Sequence, residues 1–193
     1  MFNKYKYLFL KKARILKAKL YTKFIKSCFK EFGNNSIIFS PNHIILPQYI
    51  TIKKNVTLLE YSWINLVDEW NGKKYFPNLI IDDEAFLSYN LQITIAKYLY
   101  IGKKVGIGRG TLITDHIHDY KNPNIPIMEN ELTKIKEIII EDYVVIGNNC
   151  VIGPGVRIGK NSFIAANSVV KNNIPPYSLV AGNPAKVIKQ YDF

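Results

Sequence analysis

From residue 140 to residue 170 an aliphatic side chain returns at every sixth position, at Ile140, Ile146, Ile152, Ile158, Ile164 and Val170, and Gly147, Gly153 and Gly159 directly follow three of them. A helix repeats at about 3.6 residues and a strand at about 2, so a sustained period of six describes neither. It describes short extended segments joined by turns, the pattern of a parallel β-helix in which three hexads close one triangular coil. Each aliphatic is then one rung of a buried column.

The same period begins less regularly upstream, with Leu46, Ile52, Leu58 and Ile64. It breaks at residues 68–78, a polar, aromatic and turn-rich stretch, and resumes at Ile81 and Leu87. It slips by two residues near Ile93, runs through Ile95, Ile101, Ile107 and Ile113, and breaks again over residues 114–137. Insertions of this kind leave a solenoid at a corner, where they spare the core and supply a binding face. After Val170 the chain departs at Pro175-Pro176 and runs through Ser178-Leu179-Val180-Ala181 to a basic end, which predicts closure of the open core.

The net charge of +11 is concentrated at one end: residues 1–33 hold ten basic residues against Glu31, a net +9, leaving +2 for the rest. That distribution argues against a nucleic-acid surface. Residues 4–32 read as a helix with Phe9, Ala13, Leu16, Leu20, Phe24 and Cys28 on one side, stopped by Gly33-Asn34-Asn35. Such a helix would cap the exposed end of the solenoid, or draw the protein to an anionic membrane surface or polyanionic glycan; the two are compatible. The domain division is therefore residues 1–33, a basic amphipathic helix, and residues 34–193, the β-helix. Cys28 and Cys150 read as reduced thiols of a cytoplasmic chain, with peripheral contact at the inner membrane face left open. No apolar run approaches the roughly 18 residues of a membrane span.

Chemistry concentrates in the second interruption, where Asp115-His116-Ile117-His118-Asp119-Tyr120 carries two of the three histidines in the chain. Residues two apart on an extended segment share a face, so both imidazoles can enter one cleft. Imidazole suits a general base because its ordinary pKa of about 6.5 leaves much of it neutral near pH 7.

The hexads from Ile101, the segment Thr114 to Pro123, the run Ile146-Gly147-Asn148-Asn149-Cys150-Val151-Ile152-Gly153-Pro154-Gly155-Val156-Arg157-Ile158-Gly159 and the ending Ala181-Gly182-Asn183-Pro184-Ala185-Lys186-Val187-Ile188 together resemble the hexapeptide-repeat, left-handed β-helix acyltransferases. Within them the chain looks most like the maltose and galactoside O-acetyltransferases and the enzymes that acetylate bacterial surface polysaccharides. The resemblance covers about residues 80–190. It implies an all-β, left-handed β-helix with a protruding active-site loop, acetyl-CoA as acyl donor, no metal, a saccharide acceptor, and a homotrimer with active sites between subunits. It implies no nucleic-acid partner.

Carried over position by position, the resemblance makes His118 the base; His116, on the same face, is its rival, and Asp115 or Asp119 can orient the imidazole or form turns. It sets the cofactor against Gly147, Asn148, Ala165 and Ala166, with Lys171, Lys186 and Lys189 near its phosphates. Ser88 stands where the small-sugar enzymes carry an acceptor-binding Asn, Ala96 where an Asp often accompanies it, and Val145 where an aromatic is common; Asn90, Asp119 and Tyr120 are the substitute acceptor contacts. These departures favour another hydroxyl acceptor, with Tyr61, Trp63, Trp70, Tyr75 and Phe76 as stacking faces for a sugar. The expected activity is O-acetylation of a sugar hydroxyl in a surface polysaccharide or lipopolysaccharide precursor. The alternatives are N-acetylation of an amino sugar or sugar nucleotide, and a non-catalytic membrane-surface or glycan-binding scaffold. A zinc hydratase on the same fold would need three converging histidines, and His43 with His116 and His118 lacks the spacing.

Overall fold

A computed structural model describes residues 4–192; residues 1–3 of the expected N-terminal segment and Phe193 lie outside the described residues. The body is a parallel β-helix of triangular section with three faces. The first stacks Glu31–Phe32, Ile50–Ile52, Asn78–Ile81, Tyr98–Ile101, Ile138–Ile140 and Arg157–Ile158. The second runs from Ile37–Ile38 through Val145–Ile146 and Phe163–Ile164 to the C-terminal hairpin of Ser178–Gly182 and Ala185–Gln190. The third stacks His43–Ile45, Trp63–Leu66, Gln92–Ile95, Leu112–Thr114, Val151–Ile152 and Val169–Val170.

All six rungs from Ile140 to Val170 are buried, none more than 1% exposed. Cys150 shares their environment as a small apolar residue at a corner. The six-residue step holds from the first face to the second and from the second to the third. The corner between the third and first faces takes the irregularities: the two-residue slips after Ile44 and Ile93, the excursion after Leu66 and the excursion after Thr114. Because a single corner absorbs them, all three ladders stay in register (Ile139 opposite Arg157, Val145 opposite Phe163, Val151 opposite Val169). The first coil begins at Glu31, one coil earlier than the sequence pattern suggested, because Phe32, Ile38 and Ile44 keep the rung positions while the step from Ile44 to Ile52, across the Pro47–Tyr49 turn, is eight residues long.

The N-terminal helix, α1, spans Lys4–Ile25 and gives way to a 3-10 turn at Lys26–Cys28 and then to the first strand, so it is shorter than the expected 4–32. Its packed face also differs from the expected one. Ala18 and Thr22 are buried, with Tyr21 and Ile25 partly so, against the second face near Ile38, Phe39 and Leu59. The Ile38 N–H donates to Thr22 Oγ1 at 2.9 Å. Arg14 donates two hydrogen bonds, each 2.7 Å, to the two carboxylate oxygens of Glu60, one more to the Tyr89 hydroxyl, and lies over the Phe39 ring. Capping of the core end falls to Phe29, Tyr21 and Ile25. The stripe Phe9, Leu16, Leu20 and Phe24 faces outward.

Candidate active site

The two excursions fold against each other over the third face. Residues 68–78 form a hairpin, Glu69–Trp70 against Lys73–Lys74, turned by Asn71 and Gly72 with φ of 48° and 77°, the pair of left-handed residues that a tight hairpin turn requires. In the second excursion Ile117–His118 pairs with Leu132–Thr133. Trp70 Nε1–H donates to the Asn130 carbonyl at 2.9 Å, Asn71 Nδ2–H to the Asn130 carbonyl at 3.0 Å, and Lys73 meets Glu131 at 2.7 Å. Val67, Tyr75, Ala96 and Leu132 form a small apolar cluster beneath them, separate from the main core.

Asp115 occupies the corner where the second excursion starts and is fully buried. Its carboxylate accepts the backbone N–H groups of Ala96 (2.9 Å), Lys97 (2.7 Å) and Tyr98 (3.1 Å) of the preceding coil. The same carboxylate lies 2.7 Å from His116 Nδ1. Three peptide donors hold the acid rigidly, and the acid in turn orients the ring with Nδ1–H toward it, leaving Nε2 as the nitrogen with a lone pair for a substrate proton. His118 is held differently. Its ring lies 4.9 Å from that of Trp70 at a tilt of 60°, and its buried Nδ1 has no hydrogen-bond partner.

Both imidazoles line one open cleft of about 790 Å³ over the third face. Trp63 and Trp70 supply its aromatic surface, and Asn65, Asp68, Glu69 and Thr94 its polar groups. A cavity with apolar walls and a few convergent polar groups suits a small ligand. Of the five aromatics singled out in the sequence, only these two tryptophans reach it: Tyr75 is buried in the small cluster, while Tyr61 and Phe76 point to solvent. Asn65 and Thr94 escaped the sequence reading, although aligning the coils puts Asn65, Thr94 and Thr114 in one register column on the outer side of this face.

The remaining predicted residues fall elsewhere. Gly147, Asn148, Ala166 and Ser88 border a shallow groove of about 450 Å³ on the second face, together with Phe86 and Phe163. Ala165 sits at the adjoining corner, its carbonyl accepting from Ser168 and Cys150. Gly147 has a packing reason to be glycine: an added Cβ would stand 2.6 Å from the Ala166 nitrogen of the next coil. Asn148 Oδ1 accepts the Arg109 N–H. Asn90 is a left-handed corner residue, in a column with Gly110, Asn149 and Asn167. Lys171 borders a third groove of about 560 Å³, with Lys136, Gly153 and Val169, which meets the histidine cleft at Thr114 and Ile117. Lys186 and Lys189 are exposed on the terminal hairpin. Asp119 closes a local turn with the Lys121 N–H, and Tyr120 is exposed, so neither borders the cleft. The histidines and Lys171 therefore stand at one edge of the third face, and Gly147, Asn148, Ala165 and Ala166 at the other.

The family model for bacterial transferase hexapeptide (six repeats) matches residues 137–172. A provisionally named lipopolysaccharide biosynthesis O-acetyl transferase, WbbJ, of Escherichia coli (strain K12) is 35% identical over 120 residues, which is 55% of this chain and 61% of that protein. The chain spans less than two thirds of the curated relatives it matches. Among solved structures, the N-acyltransferase AntD of Bacillus cereus, in complex with dTDP and 3-hydroxybutyryl-CoA, superposes with a TM-score of 0.73 at 21% identity, covering 89% of this chain and 88% of that one. The hexapeptide-repeat acetyltransferase VCA0836 of Vibrio cholerae O1 biovar eltor, complexed with acetyl coenzyme A, has a TM-score of 0.55 at 25% identity, covering 91% and 78%. The six-repeat match falls on the coils that stack Ile140 to Val170 into the core, and the chain has the left-handed β-helix fold of hexapeptide-repeat proteins.

Proposed function

We propose that this protein is an acetyl-CoA-dependent O-acetyltransferase acting on a sugar hydroxyl, as a surface-polysaccharide or lipopolysaccharide precursor would present. One observation carries the catalytic reading: His116, buried beside a cleft, with Nδ1 on a carboxylate that three peptide groups hold in place. His116 Nε2 takes the acceptor hydroxyl proton as that oxygen attacks the thioester carbonyl. The oxyanion so formed collapses with cleavage of the C–S bond, and the imidazolium returns the proton to the departing thiolate. His118, its ring against Trp70 in the same cleft, positions the acceptor. This reverses the order of the two histidines suggested by alignment, on the strength of the Asp115 contact. The names of WbbJ and VCA0836 support the acyl chemistry, and Trp63 and Trp70 support a sugar, whose C–H faces pack on indole.

In this reading three subunits associate, and the grooved second face of one, bearing Gly147, Asn148, Ala165, Ala166 and Ser88, lies against the third face of its neighbour, where Lys171 and the histidines stand. Acetyl-CoA then threads between them, with Lys186 and Lys189 near its phosphates. A second reading, N-acetylation of an amino sugar, is favoured by Asp68 at the cleft, which would pair with an ammonium group.

The deciding experiment incubates the protein with acetyl-CoA and candidate saccharides and follows thiol release. Loss of release in His116→Ala, with the fold retained, supports the proposal. Full turnover in that variant, or activity lost only in His118→Ala, overturns the assignment of the base. Lability of the product to mild alkali distinguishes an ester from an amide.

A further inference from the structure

The outer side of α1 has no counterpart in the proposed chemistry. Residues two apart on a helix stand about 200° apart around its axis, so Leu16, Leu20 and Phe24 point away from the docked Arg14, Ala18 and Thr22. They are 60%, 61% and 84% exposed, and Phe9, on the same stripe, is 70% exposed. Lys12, Lys19 and Lys23 edge the stripe on one side and Lys17 on the other, all exposed, and Lys4–Ile25 contains no acidic residue. On the Lys19 and Lys23 side a cleft of about 210 Å³ opens between the helix and the first coil, lined by Lys19, Lys23, Lys26, Asn34 and Asn35.

We infer that α1 is a membrane-surface helix that lies in the headgroup region of a bilayer rich in anionic lipid, with Phe9, Leu16, Leu20 and Phe24 toward the acyl chains and the lysine cleft receiving phosphate. An occupant has to be apolar along a line and anionic on both flanks, which is the chemistry of a bilayer surface. A second copy of the same helix fits poorly, since its lysines would meet these lysines without an acid between them. The Arg14 contact with Glu60 holds the helix with this face outward. The inference does not depend on the proposed catalysis.

The test is flotation of the full-length protein with vesicles of phosphatidylcholine alone and of phosphatidylcholine with added phosphatidylglycerol, at low and high salt. Binding to the anionic vesicles only, weakening with salt, is expected. The triple variant Leu16→Ser, Leu20→Ser, Phe24→Ser should lower partitioning at least about tenfold, and Lys19→Glu, Lys23→Glu, Lys26→Glu about a hundredfold or more. Thermal unfolding and light scattering should show both variants folded and unchanged in subunit number. Absence of binding, equal binding to neutral vesicles, or undiminished binding by the serine variant overturns the inference. So does a change of subunit number in the serine variant, which would make the stripe a contact between copies of this chain.

Discussion

The Asp115 carboxylate and the His116 ring are adjacent in sequence and face each other at 2.7 Å, where the chain bends out of a β-helix corner. Replacing His116 by Ala should lower kcat by about 10²–10⁴-fold, the usual contribution of a positioned general base, with little effect on thermal stability. Asp115→Asn should lower kcat as well, and in addition cost roughly 1–3 kcal/mol, because an amide cannot satisfy three peptide donors and a ring nitrogen as a carboxylate does. Steady-state kinetics alongside denaturant unfolding separates the two outcomes.

Trp70 bridges the excursions through its ring contact with His118 and its hydrogen bond to Asn130. For Trp70→Ala the expected result is an acceptor KM raised about tenfold or more while the KM for acetyl-CoA stays near its original value. A matched loss in both would contradict a role for Trp70 on the acceptor side.

Glu60 carries a pH signature. The hydrogen bond from Arg14 holds its carboxyl below the ordinary range, so the folded state binds the proton less tightly than the unfolded chain does. The resulting stability is present above the unfolded value of about 4.3 and is lost as pH falls through the folded value. Glu60→Gln should cost roughly 1–2 kcal/mol near neutrality, given the partial exposure of Arg14. The gap between variant and wild type, measured by thermal unfolding, should narrow below about pH 4.

Gly147→Ala tests packing against cofactor contact. The added methyl meets the Ala166 backbone, which cannot swing aside, and a loss of about 1–3 kcal/mol is expected in the protein without ligand. Ile146→Ala, on the neighbouring rung, should cost about 2–5 kcal/mol.

Of the two thiols, Cys28 is exposed and Cys150 is buried, and burial pushes the Cys150 thiol up. A thiol reagent should therefore modify one cysteine in the native protein and the second only after unfolding.

The column from Ile140 to Val170 was legible because each rung obeys one rule, apolar and inward every sixth residue. The early coil was harder to read, since apolar neighbours crowd Ile38 and Ile44 and the next rung, Ile52, comes eight residues after Ile44 rather than six. Whether the stripe of α1 packs or faces outward was not legible for a physical reason: two helix faces can both present apolar or small residues, and only the partners Ile38 and Glu60, distant in sequence, decide which one packs. The histidines were found from their company in a polar insertion. The contact that sets His116 apart from His118 was not legible, because the peptide groups of Ala96, Lys97 and Tyr98 that hold Asp115 leave no mark in the pattern of side chains. Asn65 and Thr94 lie in regular strands, where outward polar residues look like ordinary surface until the coils are stacked.

Every irregularity of the solenoid leaves at one corner, and the two long ones are tied together by Trp70, Asn71 and Lys73. A chimera that exchanged residues 68–78 alone would strip Asn130 and Glu131 of their partners, whereas exchanging both excursions at once would leave the aliphatic rungs untouched. On the proposed function, acceptor preference would therefore be inherited through a pair of segments nearly forty residues apart in the chain, varying in concert.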